Sequence, residues 1–321
     1  MNRRHFLQVI GSLAVATQLP RPTFAQTYGD PEEVYDRVKT SPDLRLSLYG
    51  GNIAVALEGD FQPLDKHRIE TWLRRSASAI SAYFGRFPVD SWRLLVSPAD
   101  GSRIGPATTW GYPGSVTHLT VGRHVTDDAL RDDWVMVHEM THLALPRVPM
   151  RSEWFMEGSA TYVEPIARAQ RGQITPQEVW RWAVDDMPKG QPRQGDEGLD
   201  HTHTWGRTYW GGAMYWLLAE IAIYKHSNGK YRLQDALRAI NRASGGNKVL
   251  WSVAEVAQAG DAAVKGDALA SLYDQLKDRP VVIDLDGILK QLGISEQDGV
   301  IRFDDRAPLA ALRRSISTLR N

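Results

Sequence analysis

The chain has 321 residues, with 38 basic and 38 acidic side chains and no cysteine. The balanced charge excludes the one-signed field expected of a nucleic-acid binder or an anionic-membrane binder. With no cysteine there is no disulfide framework, and any transition-metal site must be built from histidine and carboxylate. The length is enough for a large core, and two lobes are expected.

The first element reads as a processing signal. Asn2-Arg3-Arg4-His5-Phe6-Leu7-Gln8 is followed by an apolar run from Val9 to Leu19, then by Pro20-Arg21-Pro22-Thr23-Phe24-Ala25, with a small-residue cleavage site after Ala25. Such a segment is set aside from fold reasoning. Its paired arginines resemble a twin-arginine signal, whose core is R-R-x-F-L. That resemblance implies the twin-arginine export machinery as a partner, export in the folded state, and a periplasmic or secreted location. The apolar run is shorter than the roughly 20 residues of a spanning helix. The later apolar stretch from Tyr209 to Tyr224 contains Glu220 and reads as a core helix. No transmembrane segment is expected in the mature chain.

Strands and a helix come next. Leu44–Tyr49 and Ile53–Leu57 flank Gly50-Gly51-Asn52, a hairpin signal. Ile69, Trp72, Leu73, Ala77, Ile80 and Phe84 recur at helical spacing. Trp92–Val96 reads as a strand ending at Pro98. Thr108-Thr109-Trp110 leads into the turn chemistry of Gly111-Tyr112-Pro113-Gly114, and an alternating strand follows with Val116, His118 and Thr120 on one face. His118 reads as a solvated strand histidine.

The chemistry is concentrated at His138-Glu139-Met140-Thr141-His142. On a helix, residues i and i+4 share a face, so both imidazoles can bind one zinc ion at about 2.0–2.1 Å. Glu139 projects beside them, placed to take a proton from water at the metal. Apolar flanks at Trp134–Val137 and Leu143–Leu145 predict a buried helix, ended by Pro146 and Pro149. A second helix opens near Ser152, its expected N-cap, and carries Trp154-Phe155-Met156-Glu157-Gly158-Ser159-Ala160 through Glu164. The short connection favours antiparallel neighbours. That geometry can return Glu157 to the metal as a third ligand. Glu164 lies two turns further on the same face, where it can hydrogen-bond the distal nitrogen of a histidine ligand.

The pair HEMTH and WFMEGSATYVE resembles the gluzincin metallopeptidases, typified by aminopeptidase N and the glycyl-aminopeptidase-like family. The resemblance assigns His138, His142 and Glu157 to one Zn²⁺, Glu139 to general base and Glu164 to support of the ligands. In those families a Y-x-K-G-a segment supplies a tyrosine to the oxyanion. Tyr209 matches it, with Gly211 replacing the usual lysine. The families also have an edge strand upstream of the zinc helix that pairs with an extended peptide. The strand around Val116–Val121 is expected in that role. The G-x-M-E-N segment that holds a substrate's amino group is absent, so strict aminopeptidase activity is not supported.

Residues 186–206 are rich in Pro, Gly, Asp and Gln and predict a long loop, a common setting for a lid. His201 and His203 within it are a weak second metal candidate. The expected fold class is α+β: a gluzincin-type lobe with a small mixed sheet and an edge strand beside the zinc helix, then a mostly helical C-terminal part. The expected divisions are 1–25 for the signal, 26–245 for the catalytic region and 246–321 for the remainder. The expected function is zinc-dependent hydrolysis of a peptide or protein substrate, with no nucleic-acid partner. The alternatives are hydrolysis of a non-peptide amide, or zinc-stabilised peptide binding without turnover. An intact Glu139 argues against the last.

Overall fold

The computed structural model describes residues 29–59 and 66–319. The signal reading of residues 1–25 lies outside them. Helix α1 (Pro31–Thr40) is followed by the hairpin β1 (Leu44–Leu48) and β2 (Gly51–Leu57), then by α2 (Lys66–Phe84). Strands β3 (Ser91–Ala99), β4 (Ile104–Trp110) and β5 (Val116–Gly122) complete a five-stranded mixed sheet in the order β1-β2-β3-β5-β4. The β2–β3 and β3–β5 pairs are parallel, and β1–β2 and β4–β5 are antiparallel.

Alternation along the strands sends their residues to two separate layers. Val116 and Leu95 pack with Val34 and Val38 of α1 in a small cluster on one face. Trp92, Leu94, Val96, Leu119 and Val121 join the main core, which includes Ile69, Leu73 and Ile80 of α2. The helical reading of Ile69 to Phe84 is correct, and all six of its apolar positions are buried.

One strand assignment changes. The strand containing Val116, His118 and Thr120 is interior, hydrogen-bonded to β3 on one side and β4 on the other. The edge is β4, which carries Gly105 and Pro106 and has a register irregularity between Ile104 and Ala107. Proline cannot donate to a ladder, so it is tolerated at a sheet edge or a bulge. The strand reading at Trp92 also extends further than expected. β3 runs through Pro98 to Ala99, with Pro98 paired to Val121.

The helices follow in order: α3 (Asp127–Arg131), α4 (Val135–His142) and α5 (Glu153–Gln170), then α6 (Pro176–Asp185) and α7 (Gly212–His226). After these come α8 (Leu233–Ser244), α9 (Val253–Val264), α10 (Ala268–Leu276) and α11 (Leu285–Leu292). A small hairpin, β6 (Ile294–Gln297) and β7 (Val300–Phe303), precedes α12 (Ala310–Ser317). The main apolar core runs without a break from Leu46 on the sheet to Ile316 on α12. No helix among the described residues is long and apolar enough to cross a membrane.

Candidate metal centre and active site

Helix α4 is only eight residues long, and its start is fixed by a buried carboxylate. Asp133 accepts from the backbone N–H groups of Val135 and Met136 at 2.9 and 3.0 Å and from Trp72 Nε1 at 3.0 Å. It thereby satisfies donors that the first turn leaves open. Helix α5 starts after a single 3₁₀ turn at Met150–Ser152. Ser152 occupies the N-cap position, but its hydroxyl does not cap. It donates instead to Asp200 at 2.9 Å.

These two helices bring three ligand-type atoms together. His138, His142 and Glu157 each offer one, all within 4.8 Å of one another, and they are the only such group of three or more among the described residues. Glu157 Oε2 lies 3.3 Å from His138 Nε2 and 3.5 Å from His142 Nε2. Two imidazole nitrogens and one carboxylate oxygen form a donor set that fits a catalytic zinc ion, which takes three protein ligands and keeps one position for water or substrate.

The electrostatics match the geometry. Burial drives the His142 imidazole towards the neutral form, but the Glu157 carboxylate outweighs it and raises the pKa to about 9. Burial pushes Glu157 upward, yet His142 and His138 hold it well below the usual carboxylate range. Glu139 is raised to about 7, chiefly by burial, with His142 and the Thr109 hydrogen bond partly opposing the rise. Glu153, one turn before Glu157, is raised by burial and by the Glu157 charge.

The remaining expected residues fall as follows. Glu164 is fully buried on α5 and ion-paired to Arg168 at 3.0 Å. Tyr209 belongs to a π-helical segment, Gly206–Gly211, directly before α7. Its ring stacks on His138, with centroids 6.3 Å apart and planes 20° apart, and on Trp205 at 6.1 Å. A π-turn is a frequent marker of functional positions. Gly211, where the resembled families have lysine, is closely packed: an added Cβ would meet Leu199 Cδ2 at 2.8 Å. His201 is bonded to Asp278 at 2.9 Å, and neither His201 nor His203 joins a metal-type cluster among the described residues. His118, on the opposite face of β5 from Thr117, bonds Ser97 Oγ at 2.7 Å.

The loop expected over 186–206 is anchored rather than free. Leu199 and Asp200 are buried, and their N–H groups donate to the carbonyls of Leu276 and Lys277. Asp200 also accepts from Ser152 Oγ, Trp154 Nε1 and Tyr273 Oη at 2.7–2.9 Å. It therefore clamps the loop to the first turn of the Glu157 helix.

Sequence reasoning missed Thr109. Its hydroxyl donates to Glu139 Oε2 at 2.7 Å from the edge strand. It also missed Glu153, for which the i, i+4 spacing to Glu157 was an available signal.

The fold has known counterparts. An aminopeptidase N family protein from Idiomarina loihiensis superposes with a TM-score of 0.60 at 15% identity, covering 79% of this chain and 49% of that one. The fold is M1-peptidase-like. An M1 zinc metallopeptidase from Deinococcus radiodurans is more distant, with a TM-score of 0.44 at 14% identity, covering 75% of this chain and 53% of that one. The chain thus spans about half the length of the solved structures it resembles. No protein-family model and no curated protein matches it.

Proposed function

We propose that this chain is an exported, zinc-dependent peptidase. The observation that carries the reading is the convergence of His138, His142 and Glu157 beside a buried carboxylate, Glu139, whose pKa lies near 7. Zinc bound by those three residues would supply a Lewis acid, polarising the scissile carbonyl and making water a nucleophile at neutral pH.

The chain's own groups do the rest. Glu139, buried beside the three ligand-type groups, takes a proton from the attacking water and returns it to the departing amine. The Tyr209 hydroxyl donates to the carbonyl oxygen as negative charge develops there, from a ring steadied between His138 and Trp205. Buried Glu164, braced by Arg168, is assigned to orienting a histidine ligand. An extended peptide or protein segment is held by adding a strand to the exposed edge of β4. Arg3-Arg4 ahead of Phe6-Leu7 supports delivery to the periplasm or beyond by the twin-arginine route.

The test is an unbiased peptide-library digest by the zinc-loaded protein, with cleavage positions read by mass spectrometry and Glu139→Gln as the control. Cleavage that disappears in the control supports the reading. Zinc bound at full occupancy with no peptide cut, but peptides retained, points to a binding protein instead.

A further inference from the structure

Behind Glu139 the sheet carries a row of polar groups that an apolar core would not otherwise contain. Thr109 on β4 and Thr117 on β5 are directly opposite in register, with their hydroxyl oxygens 2.7 Å apart. Trp92 on β3 donates its indole N–H to Thr117 Oγ1 at 2.9 Å. Thr109 in turn donates to Glu139 Oε2 at 2.7 Å, with the Glu139 backbone carbonyl further away at 3.4 Å. Trp92 and Thr117 are completely buried.

With Glu139 ionised, as a general base must be before it takes a proton, the direction of every bond in this row is fixed by chemistry. An indole N–H only donates, and an ionised carboxylate only accepts. Each threonine hydroxyl has one proton. Thr109 spends its proton on Glu139, so it accepts from Thr117, and Thr117 accepts from Trp92. The chain runs one way: Trp92 to Thr117 to Thr109 to Glu139. Aligned hydrogen bonds polarise one another, and the last, to a charged oxygen, belongs to the stronger class.

We propose that Thr109, aligned by Thr117 and Trp92, is a positioning residue for Glu139. It fixes one carboxylate oxygen and leaves the other to face the water. This rests on the reading of Glu139 as general base. The relay joins the base to the strand that would hold the substrate, so base and peptide share one rigid frame. Misplacing a reacting group by about 1 Å can cost 10²-fold in rate.

The experiment uses Thr109→Val, which keeps the shape and removes the donor, with Thr109→Ser, which keeps the donor. Steady-state kinetics, zinc content and thermal stability are measured on the same preparations. Thr109→Val should lower kcat roughly 10- to 100-fold, as expected for losing a hydrogen bond to a charged group, with KM and zinc content little changed. Thr109→Ser should recover most of that loss. Thr117→Val should cost a few-fold, and the Thr109→Val, Thr117→Val double variant should be no slower than Thr109→Val alone. An unchanged kcat in Thr109→Val, or a Thr109→Ser enzyme as slow as Thr109→Val, overturns the proposal. If the wild-type protein cuts no peptide, the peptidase reading falls, and the relay is then judged by the NMR resonance of the Trp92 indole proton. That resonance should move in Thr117→Val and, to a smaller extent, in Thr109→Val. No movement in either overturns the relay independently of turnover.

Discussion

Gly158 and Gly212 touch through their backbones. A Cβ on Gly158 would lie 2.3 Å from the Gly212 carbonyl carbon, and one on Gly212 would lie 2.1 Å from the Trp154 carbonyl oxygen. This contact sets how closely α5 approaches α7, and therefore how close Tyr209, three residues before Gly212, comes to Glu157, the residue before Gly158. The obstructing atoms are backbone, so no rotamer change relieves them. Gly212→Ala should destabilise the protein by about 1–3 kcal/mol or more, measured by urea unfolding. A variant as stable as the wild type would show that the two helices can separate without penalty.

Removing ligands should remove the metal. Zinc content near one per chain is expected for the wild type, and Glu157→Ala or His142→Ala should lower affinity severely. A His138→Ala, His142→Ala double variant that keeps its zinc would mean that the ion is held elsewhere.

The metal-free protein should respond to pH in a definite sense. His142 is raised from its ordinary value to about 9, so its contribution is complete below about pH 6.5 and is lost as pH rises through about 9. Glu139, raised to about 7, contributes in the same sense, with its loss beginning near pH 4.5. Glu157 is depressed, so its contribution is present above about pH 4.5 and fails as pH falls through its lower folded value. These three groups should make the metal-free protein most stable in mildly acidic solution, with a decline towards pH 9. Zinc must displace the His142 proton, so its apparent affinity should climb with pH up to about 9. Metal-free unfolding curves that are flat between pH 5 and 9 would contradict this assignment.

Chemistry can be separated from binding at two residues. Glu139→Gln should keep zinc and lose about 10²–10⁴-fold in hydrolysis. Tyr209→Phe should lose about 10²-fold, mainly in kcat, because its hydrogen bond strengthens in the transition state. Full kcat in Tyr209→Phe, on a substrate that Glu139→Gln cannot turn over, would leave the base in place and move the oxyanion donor elsewhere.

Export can be tested without any substrate. Replacing Arg3 and Arg4 with lysine should hold the precursor in the cytoplasm, as followed by fractionation and immunoblotting. Undiminished mature protein outside the cytoplasm would mean that a different route carries it.

Much of the candidate site was legible because its signals are local. His138 and His142 are one helical turn apart, and Glu157 follows after a short connection that favours antiparallel neighbours. The edge strand was not legible in the same way, because strand order is decided by distant pairings. β4 contains Gly105 and Pro106, which weaken a strand signal, while the cleaner alternation of β5 looked like the edge. Thr109 was overlooked for a related reason. A threonine in a strand is ordinary, and only its pairing with Thr117 and its distance to Glu139 distinguish it. The loop before Tyr209 has the composition of a free segment, yet it is anchored by Asp200, whose partners lie 46, 48 and 73 residues away.

That carboxylate has a consequence for how far the chain can be shortened. Through Asp200, the first turn of the helix bearing Glu157 is tied to Tyr273 on α10, so α10 acts as a buttress for the candidate metal site. A truncation ending before Tyr273 would leave His138, Glu139, His142 and Glu157 all in the polypeptide. It would nonetheless remove one of Asp200's donors and the carbonyls of Leu276 and Lys277 that accept from the N–H groups of Leu199 and Asp200. The smallest fragment that keeps this support is therefore set by mechanics, and it extends through Lys277, well beyond Tyr209.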